Sequence, residues 1–369
     1  MSTVCLSTNG TNHFTLSGPV RTAFVATTDG VLKIVRQADG GWSVERAMLE
    51  GSHISALTRD PATGGLYAAQ MPGTLMFSPD EGATWEARAA GIAEGGIYSL
   101  RCYRQGDASV LYLGTQPVGL YRSTDEGRSW QDLASVRTAP LHDTWRFPAP
   151  GHEPHLKTLA VDPRNPDILY AGVEQGALLK SVDGGRNWSD LDEFVDYEHF
   201  VYKDIHQVLL RPTNADELFI TTGLGIFHSA NGGVNWEQLT GSDFRIGYPD
   251  QLLFAPDDDS RMLVSGGFAT PNFWVEEKSA KGTVMLSENG GRDWRAPRGG
   301  FPEGRANVEA MTLCAHPGGY DILAGTSGGE IFLSSDGGEN WTRILSGIAP
   351  VSKPTHDTLI EGVGYGIEP

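Results

Sequence analysis

Five side chains suited to proton transfer or metal ligation recur at matched places in this 369-residue chain: His53, His155, Asp204, His206 and Glu309. Each stands two or four residues before a branched apolar residue that is itself followed, four residues on, by proline. The frame reads Leu57…Pro61, Leu159…Pro163, Val208…Pro212, Leu252…Pro256 and Leu313…Pro317, and Leu100 keeps the frame without the proline. Four residues before the apolar position stand His53, Gly96, His155, Asp204, Tyr248 and Glu309. Two residues before it stand Ser55, Tyr98, Lys157, His206, Asp250 and Met311. Strand period two puts both sets on one side of their strands. Imidazoles change charge near neutral pH and serve as acid, base or metal ligand. Two histidines and a carboxylate hold a divalent metal with open positions. The expected catalytic set is therefore His53, His155, Asp204, His206 and Glu309. His53, His155, His206 and Glu309 are the expected ligands of iron, zinc, copper or manganese. The residue types leave hydrolysis, elimination and oxygen chemistry on a small polar substrate all open.

The elements that must position these groups are set by another repeat. Ser78-Pro-Asp80-Glu-Gly82-Ala-Thr-Trp85 returns at Ser123–Trp130, Ser181–Trp188, Ser287–Trp294 and Ser334–Trp341, with a variant at Ser229–Trp236. The serines are spaced by 45, 58, 48, 58 and 47 residues. Asp or Asn accepts bonds from its own turn, Gly supplies positive φ, and Trp packs between neighbours. A period of roughly 40–50 residues with this chemistry marks one propeller blade per repeat. A seventh, shortened copy, Ala38-Asp39-Gly40-Gly41-Trp42, follows the strand beginning at Ala23. The fold expected is all-β, a seven-bladed propeller over residues 21–353. The stretch near Val351 is expected to complete the first blade, with extensions at 1–20 and 354–369. The two long steps mark insertions at 134–154 and 267–282. They carry His142, Trp145 and Trp274, which join Tyr98, Tyr248 and Asp250 as expected substrate contacts.

These boxes resemble Asp boxes, or BNR repeats, as found in bacterial sialidases, the luminal domain of sortilins, some xyloglucan-cleaving glycosidases and photosystem II assembly factors. The likeness is greatest to compact bacterial proteins described as sialidase-like or BNR-repeat glycosyl hydrolase-like, and it covers nearly all of residues 21–350. The fold hosts unrelated activities. A sialidase resemblance implies an arginine cluster for the sugar carboxylate, a Tyr–Glu nucleophile pair and an Asp acid. Bidentate carboxylate binding needs arginine forks, and none of the frame positions, which are expected at the mouth of the propeller's central channel, is Arg. Phe244-Arg245-Ile246-Gly247 echoes the sialidase Phe-Arg-Ile-Pro but lacks its proline and falls late in the chain. Sialidase activity is not expected. A different glycoside hydrolase remains an alternative, with a carboxylate pair drawn from Asp204, Asp250 and Glu309. A non-catalytic interaction or assembly platform is the other alternative.

Bulk properties narrow the partners. A net charge of −18 disfavours nucleic acid and anionic membrane surfaces. Three cysteines, Cys5, Cys102 and Cys314, fit free thiols in a reducing compartment. With no apolar run long enough to span a bilayer and no secretory signal, the chain is expected to be cytoplasmic. The frame carries no signal for oligomeric state.

Overall fold

Each box closes a hairpin through its own side chains. At Ser181, Oγ accepts the Gly185 N–H at 2.9 Å and donates to Asp183 Oδ1 at 2.8 Å. Asp183 then accepts the Asn187 amide at 2.9 Å and the Asn187 side chain at 2.7 Å. Gly185 sits at φ 85°, where only glycine is free of strain. The serine-to-glycine bond recurs at Ser78, Ser123, Ser229, Ser287 and Ser334, at 2.8–3.0 Å. Trp188 packs in one cluster with Leu133 of the preceding blade and Leu169 of its own, so the box also ties neighbouring blades together.

The computed structural model describes residues 3–93, 95–146, 153–191, 203–241, 243–302, 304–353 and 356–360. Seven sheets follow one another along the chain, each led by its innermost strand, and form a seven-bladed β-propeller. Apolar clusters lie between adjacent sheets. The sixth sheet, Tyr248–Phe254, Met262–Gly267 and Thr283–Ser287, has three strands. A single bridge from Leu286 to Arg295 stands where a fourth would run.

Closure differs from the expectation. The inner strand of the first blade is Thr3–Leu6, paired in parallel with Thr22–Thr27, not the stretch near Val351. Its Val4, Cys5 and Leu6 are fully buried, which gives this short apolar segment its reason to enter the sheet. His13–Thr15 then adds in parallel to Val308–His316 of the seventh blade. Between the two strands the backbone crosses the channel. The Asn9 carbonyl accepts Leu100 N–H at 3.2 Å and the Asn12 carbonyl accepts Leu313 N–H at 2.8 Å. Gln251 Nε2 donates to the Thr8 carbonyl at 2.7 Å, and Ser7 Oγ donates to the Leu57 carbonyl at 3.2 Å. The segment expected to stand apart as an N-terminal extension is thus the axle of the ring. Pro350 and Val351 do bridge the first and last blades: the Pro350 carbonyl accepts Thr28 N–H at 2.9 Å and Val351 N–H donates to the Thr326 carbonyl at 3.0 Å. They form no strand. Of the expected C-terminal extension, a short helix at His356–Leu359 is described.

Candidate functional site at the channel mouth

The inner strands of blades two to seven share a defect. Each breaks register with its neighbour near its start, between Ile54 and Ala56, Ile97 and Ser99, Leu156 and Thr158, Ile205 and Gln207, Pro249 and Gln251, and Val308 and Ala310. A bulge leaves one residue unpaired and re-aims its side chain. The six residues so placed are Ser55, Tyr98, Lys157, His206, Asp250 and Glu309, and all are buried. Five match the positions two before the apolar residue. The sixth corrects the frame. The seventh inner strand, Val308–His316, runs nine residues where most of the others run six or seven, so its proline lies two places late. Glu309 is therefore the counterpart of His206 and Asp250, and Asn307 the counterpart of His155 and Asp204.

Buried clusters of hydrogen bonds hold most of these groups, close enough for the charges of one cluster to act on the next. His155 meets Glu174, a residue the sequence frame missed; it ends the second strand of the blade and is the register partner of His155. Lys157 donates to the other Glu174 oxygen at 2.6 Å. Asp250 pairs with Lys353 and accepts Asn307 Nδ2 at 2.6 Å. The same Asn307 nitrogen reaches Glu309 at 3.2 Å. Glu309 also accepts Ser352 Oγ at 3.1 Å, Lys353 N–H at 2.8 Å and His356 Nδ1 at 3.0 Å. Asn307, Lys353 and His356 were likewise missed. Lys353 fell in the segment read as a closing strand, and His356 in an extension with no assigned role.

Charge is tightly managed here. Burial raises the Glu174 carboxyl, but Lys157 and His155 outweigh it and hold the group well below the usual carboxylate range. Burial likewise raises Glu309, and His356 and Lys353 override it, bringing it to about 2. Burial lowers Lys157 against the pull of Glu174. For Lys353 burial again lowers, but Asp250, Glu309 and Glu174 prevail and raise it. Glu174, Asp204, Asp250 and Glu309 face two ammonium groups, Lys157 and Lys353, all buried.

The fit to a cation rests on three residues. Glu174, Asp204 and His206 offer ligand atoms within 4.8 Å of one another. His206 Nδ1 faces the Pro249 carbonyl at 2.6 Å, which accepts only, so in the neutral ring Nε2 carries the lone pair. Asp204 Oδ2 lies 3.3 Å from that nitrogen. Asp204 Oδ1 and His206 Nε2 are buried with no hydrogen-bond partner among the described residues. The expected ligand set is corrected: His206 belongs to this trio, while His53, His155 and Glu309 are turned to other partners. His53 Nε2 meets the Ser352 carbonyl at 3.0 Å. His155 has the Glu153 carbonyl on one nitrogen and Glu174 on the other. Glu309 holds the donors named above.

The expected substrate contacts divide. Tyr98 stacks on His155 with ring centroids 3.7 Å apart, and Tyr248 lies 4.3 Å from His206. The insertion at 267–282 folds into a helix, Pro271–Glu277, that carries Trp274. Fully buried, Trp274 meets Tyr248 and His356 edge-on at 5.4 and 5.6 Å. With Ser352, Lys353 and His356 it roofs the network. Trp145 is buried rather than a solvent-facing wall: it packs among Val136, Leu156 and Val173 in an interblade cluster, beside Gly176 in the turn that follows Glu174. His142 lies tilted against Trp145 with ring centroids 4.8 Å apart.

No family model matches the chain. A xyloglucanase of Paenibacillus sp is 24% identical over 336 residues, covering 82% of this chain and 30% of that protein. An oligoxyloglucan-reducing end-specific xyloglucanase of Emericella nidulans is 24% identical over 198 residues, covering 52% of this chain and 24% of that protein. A xyloglucanase of Hypocrea jecorina is 23% identical over 345 residues, covering 80% and 38%. The chain thus spans 24–38% of the length of these relatives. Among solved structures, an ancestral GH74 enzyme superposes with a TM-score of 0.59 at 16% identity, covering 80% of this chain and 39% of that one. YCF48 from Cyanidioschyzon merolae gives 0.52 at 17% identity, covering 80% and 87%. At these identities the structural likeness is one of fold, a β-propeller.

Proposed function

We propose that this propeller is a glycoside hydrolase module acting on a polar carbohydrate, with Glu174 and Asp204 as its reacting carboxylates. One observation carries the reading: a carboxylate held ionised by Lys157 and His155 lies beside a second whose Oδ1 is unengaged among the described residues, with ligand oxygens within 4.8 Å. Retaining glycosidases set their two carboxyl groups roughly 5–5.5 Å apart. Glu174, kept charged, is the nucleophile or the stabiliser of positive charge at the sugar carbon. Asp204 is the group that exchanges a proton with the glycosidic oxygen and then with water. The xyloglucanase relatives support the substrate class.

A second reading is favoured by His206 Nε2, which lies 3.3 Å from Asp204 Oδ2 without a hydrogen bond to it. Glu174, Asp204 and His206 would hold a divalent cation, iron, zinc, copper or manganese, which would supply Lewis-acid chemistry to a small polar substrate. One set of assays separates the two. Untagged protein is assayed for reducing ends released from xyloglucan oligosaccharides and other neutral β-glucans, before and after dialysis against a chelator, with metal content measured in parallel. Activity that survives chelation and falls by about a hundredfold or more in Asp204→Asn supports the carboxylate pair. Activity lost on chelation and restored by one metal supports the cation. Neither activity nor bound metal sinks both readings and leaves the interaction platform.

A further inference from the structure

The far ends of the inner strands carry chemistry that the acid network does not use. Two cavities flank Thr11–His13 there, where the axle segment leaves the channel. One, of about 310 Å³, is lined by Thr11, Asn12, His13, Arg101, Tyr103 and Gln207 among others. The other, of about 400 Å³, shares Thr11 and His13 and adds Arg59. Arg101 and Arg59 lie five or six residues further along their strands than the mouth residues Gly96 and His53, so these cavities open at the opposite end of the channel.

Arg101 and Arg122 each bury a guanidinium nitrogen without a hydrogen-bond partner among the described residues, and Arg101 is the one that lines a cavity. Arg88, Arg137, Arg164, Arg211, Arg261 and Arg295 all sit in ion pairs with carboxylates. The Arg101 side chain has neither an ion pair nor a hydrogen bond among the described residues, and its Nη1 is buried without a partner. Burial pushes the guanidinium below the ordinary arginine range, with only Tyr103 working the other way. The side chain is only partly buried, so leaving it without a counter-charge is moderately unfavourable, and in a chain with 46 acidic residues a protein carboxylate was available to pair with it. None does. His13, in the same cavity, feels the Arg101 charge, and Thr11 lines both cavities.

We propose that the Arg101 cavity is a binding site for a small oxyanion, the carboxylate or phosphate of a metabolite-sized ligand. The guanidinium fork offers two parallel N–H groups to two oxygens of such an anion, and the cavity is the size of a small-molecule site. The ligand supplies the counter-charge that the protein leaves out. This site is independent of the channel-mouth network, and its fate does not depend on whether that network is catalytic.

Calorimetric titration with inorganic phosphate, and separately with acetate, tests the proposal at constant ionic strength. The wild type should show saturable binding of one anion per chain, weakened by about tenfold or more in Arg101→Gln. Arg101→Lys, which keeps the charge and loses the fork, should fall between. Tighter phosphate binding points to a phosphorylated ligand, tighter acetate binding to a carboxylated one. A thermal-melting arm guards against misfolding. In anion-free buffer Arg101→Met should melt no lower than the wild type, because an unpaired charge has been removed, and phosphate should raise the melting temperature of the wild type alone. Equal binding by wild type and Arg101→Gln, binding at many equivalent sites, or no saturation by either anion would overturn the site.

Discussion

Glu309 is the joint between the ring and its roof, and replacing it with Gln measures that joint. The carboxylate accepts from Lys353 N–H at 2.8 Å, Ser352 Oγ at 3.1 Å and His356 Nδ1 at 3.0 Å. A carboxyl brought from 4.5 to about 2 contributes roughly 3 kcal/mol at neutral pH. That agrees with the approximately 3–5 kcal/mol lost when one partner of a buried ionic network is removed. At roughly 2.1 cal/mol/K per residue, 369 residues give an unfolding entropy near 0.8 kcal/mol/K, so the melting temperature should fall by about 4 °C. The pH dependence has a definite sign. The native pKa lies below the unfolded one, so the contribution is complete above the unfolded value and fades as pH falls toward about 2. The deficit of Glu309→Gln should be full at neutral pH and smaller near pH 3. Scanning calorimetry at both pH values gives the magnitude, and hydrogen exchange at the Lys353 amide shows whether the roof has loosened. An unchanged melting temperature at neutral pH with Lys353 still protected would refute the account, as would an equal deficit at both pH values.

Three further outcomes are expected. Ser181→Ala removes the acceptor of the Gly185 N–H and should destabilise the protein by about 1–2 kcal/mol in urea unfolding while leaving any binding by the folded molecule intact. Removing residues 1–16 takes out strands from the first and seventh blades, and should abolish cooperative unfolding or leave a species that binds a hydrophobic dye. Burial pushes the Cys5 and Cys102 thiols up to about 12 and raises Cys314, so native protein should react with a thiol reagent only slowly at neutral pH, and fully once denatured.

The ring was legible because its signal is local. Every box bond spans two to four residues, so Ser181, Asp183, Gly185 and Trp188 announce their turn without reference to the rest of the chain. The mouth was legible where inner strands have similar lengths, which is why His155, Asp204, His206 and Asp250 came together. It was misread in the seventh blade, where a longer strand displaced the proline used as the marker and hid the equivalence of Glu309 and His206. Glu174 was out of reach of a frame that followed inner strands only, since it enters through cross-strand pairing with His155. Thr3–Leu6 was missed for a similar reason: a four-residue strand with three apolar side chains carries little periodicity, and its pairing is parallel, without a hairpin turn to announce it.

The axle sets the protein a problem of timing. His13 lies opposite Leu313, so this strand leaves the ribosome 300 residues ahead of its partner. At roughly 5–20 residues per second the wait is on the order of 15–60 s. Throughout it, Val4, Cys5 and Leu6 have no finished ring to enter, and the early blades expose edges and apolar faces that later blades will cover. Threading a finished ring would require disrupting it. The blades must instead assemble around the waiting segment, which makes ring closure a late event governed by non-local pairing, and therefore slow. Nascent chains of this protein should depend on whatever shields exposed strands during that interval far more than the stability of the finished propeller would suggest.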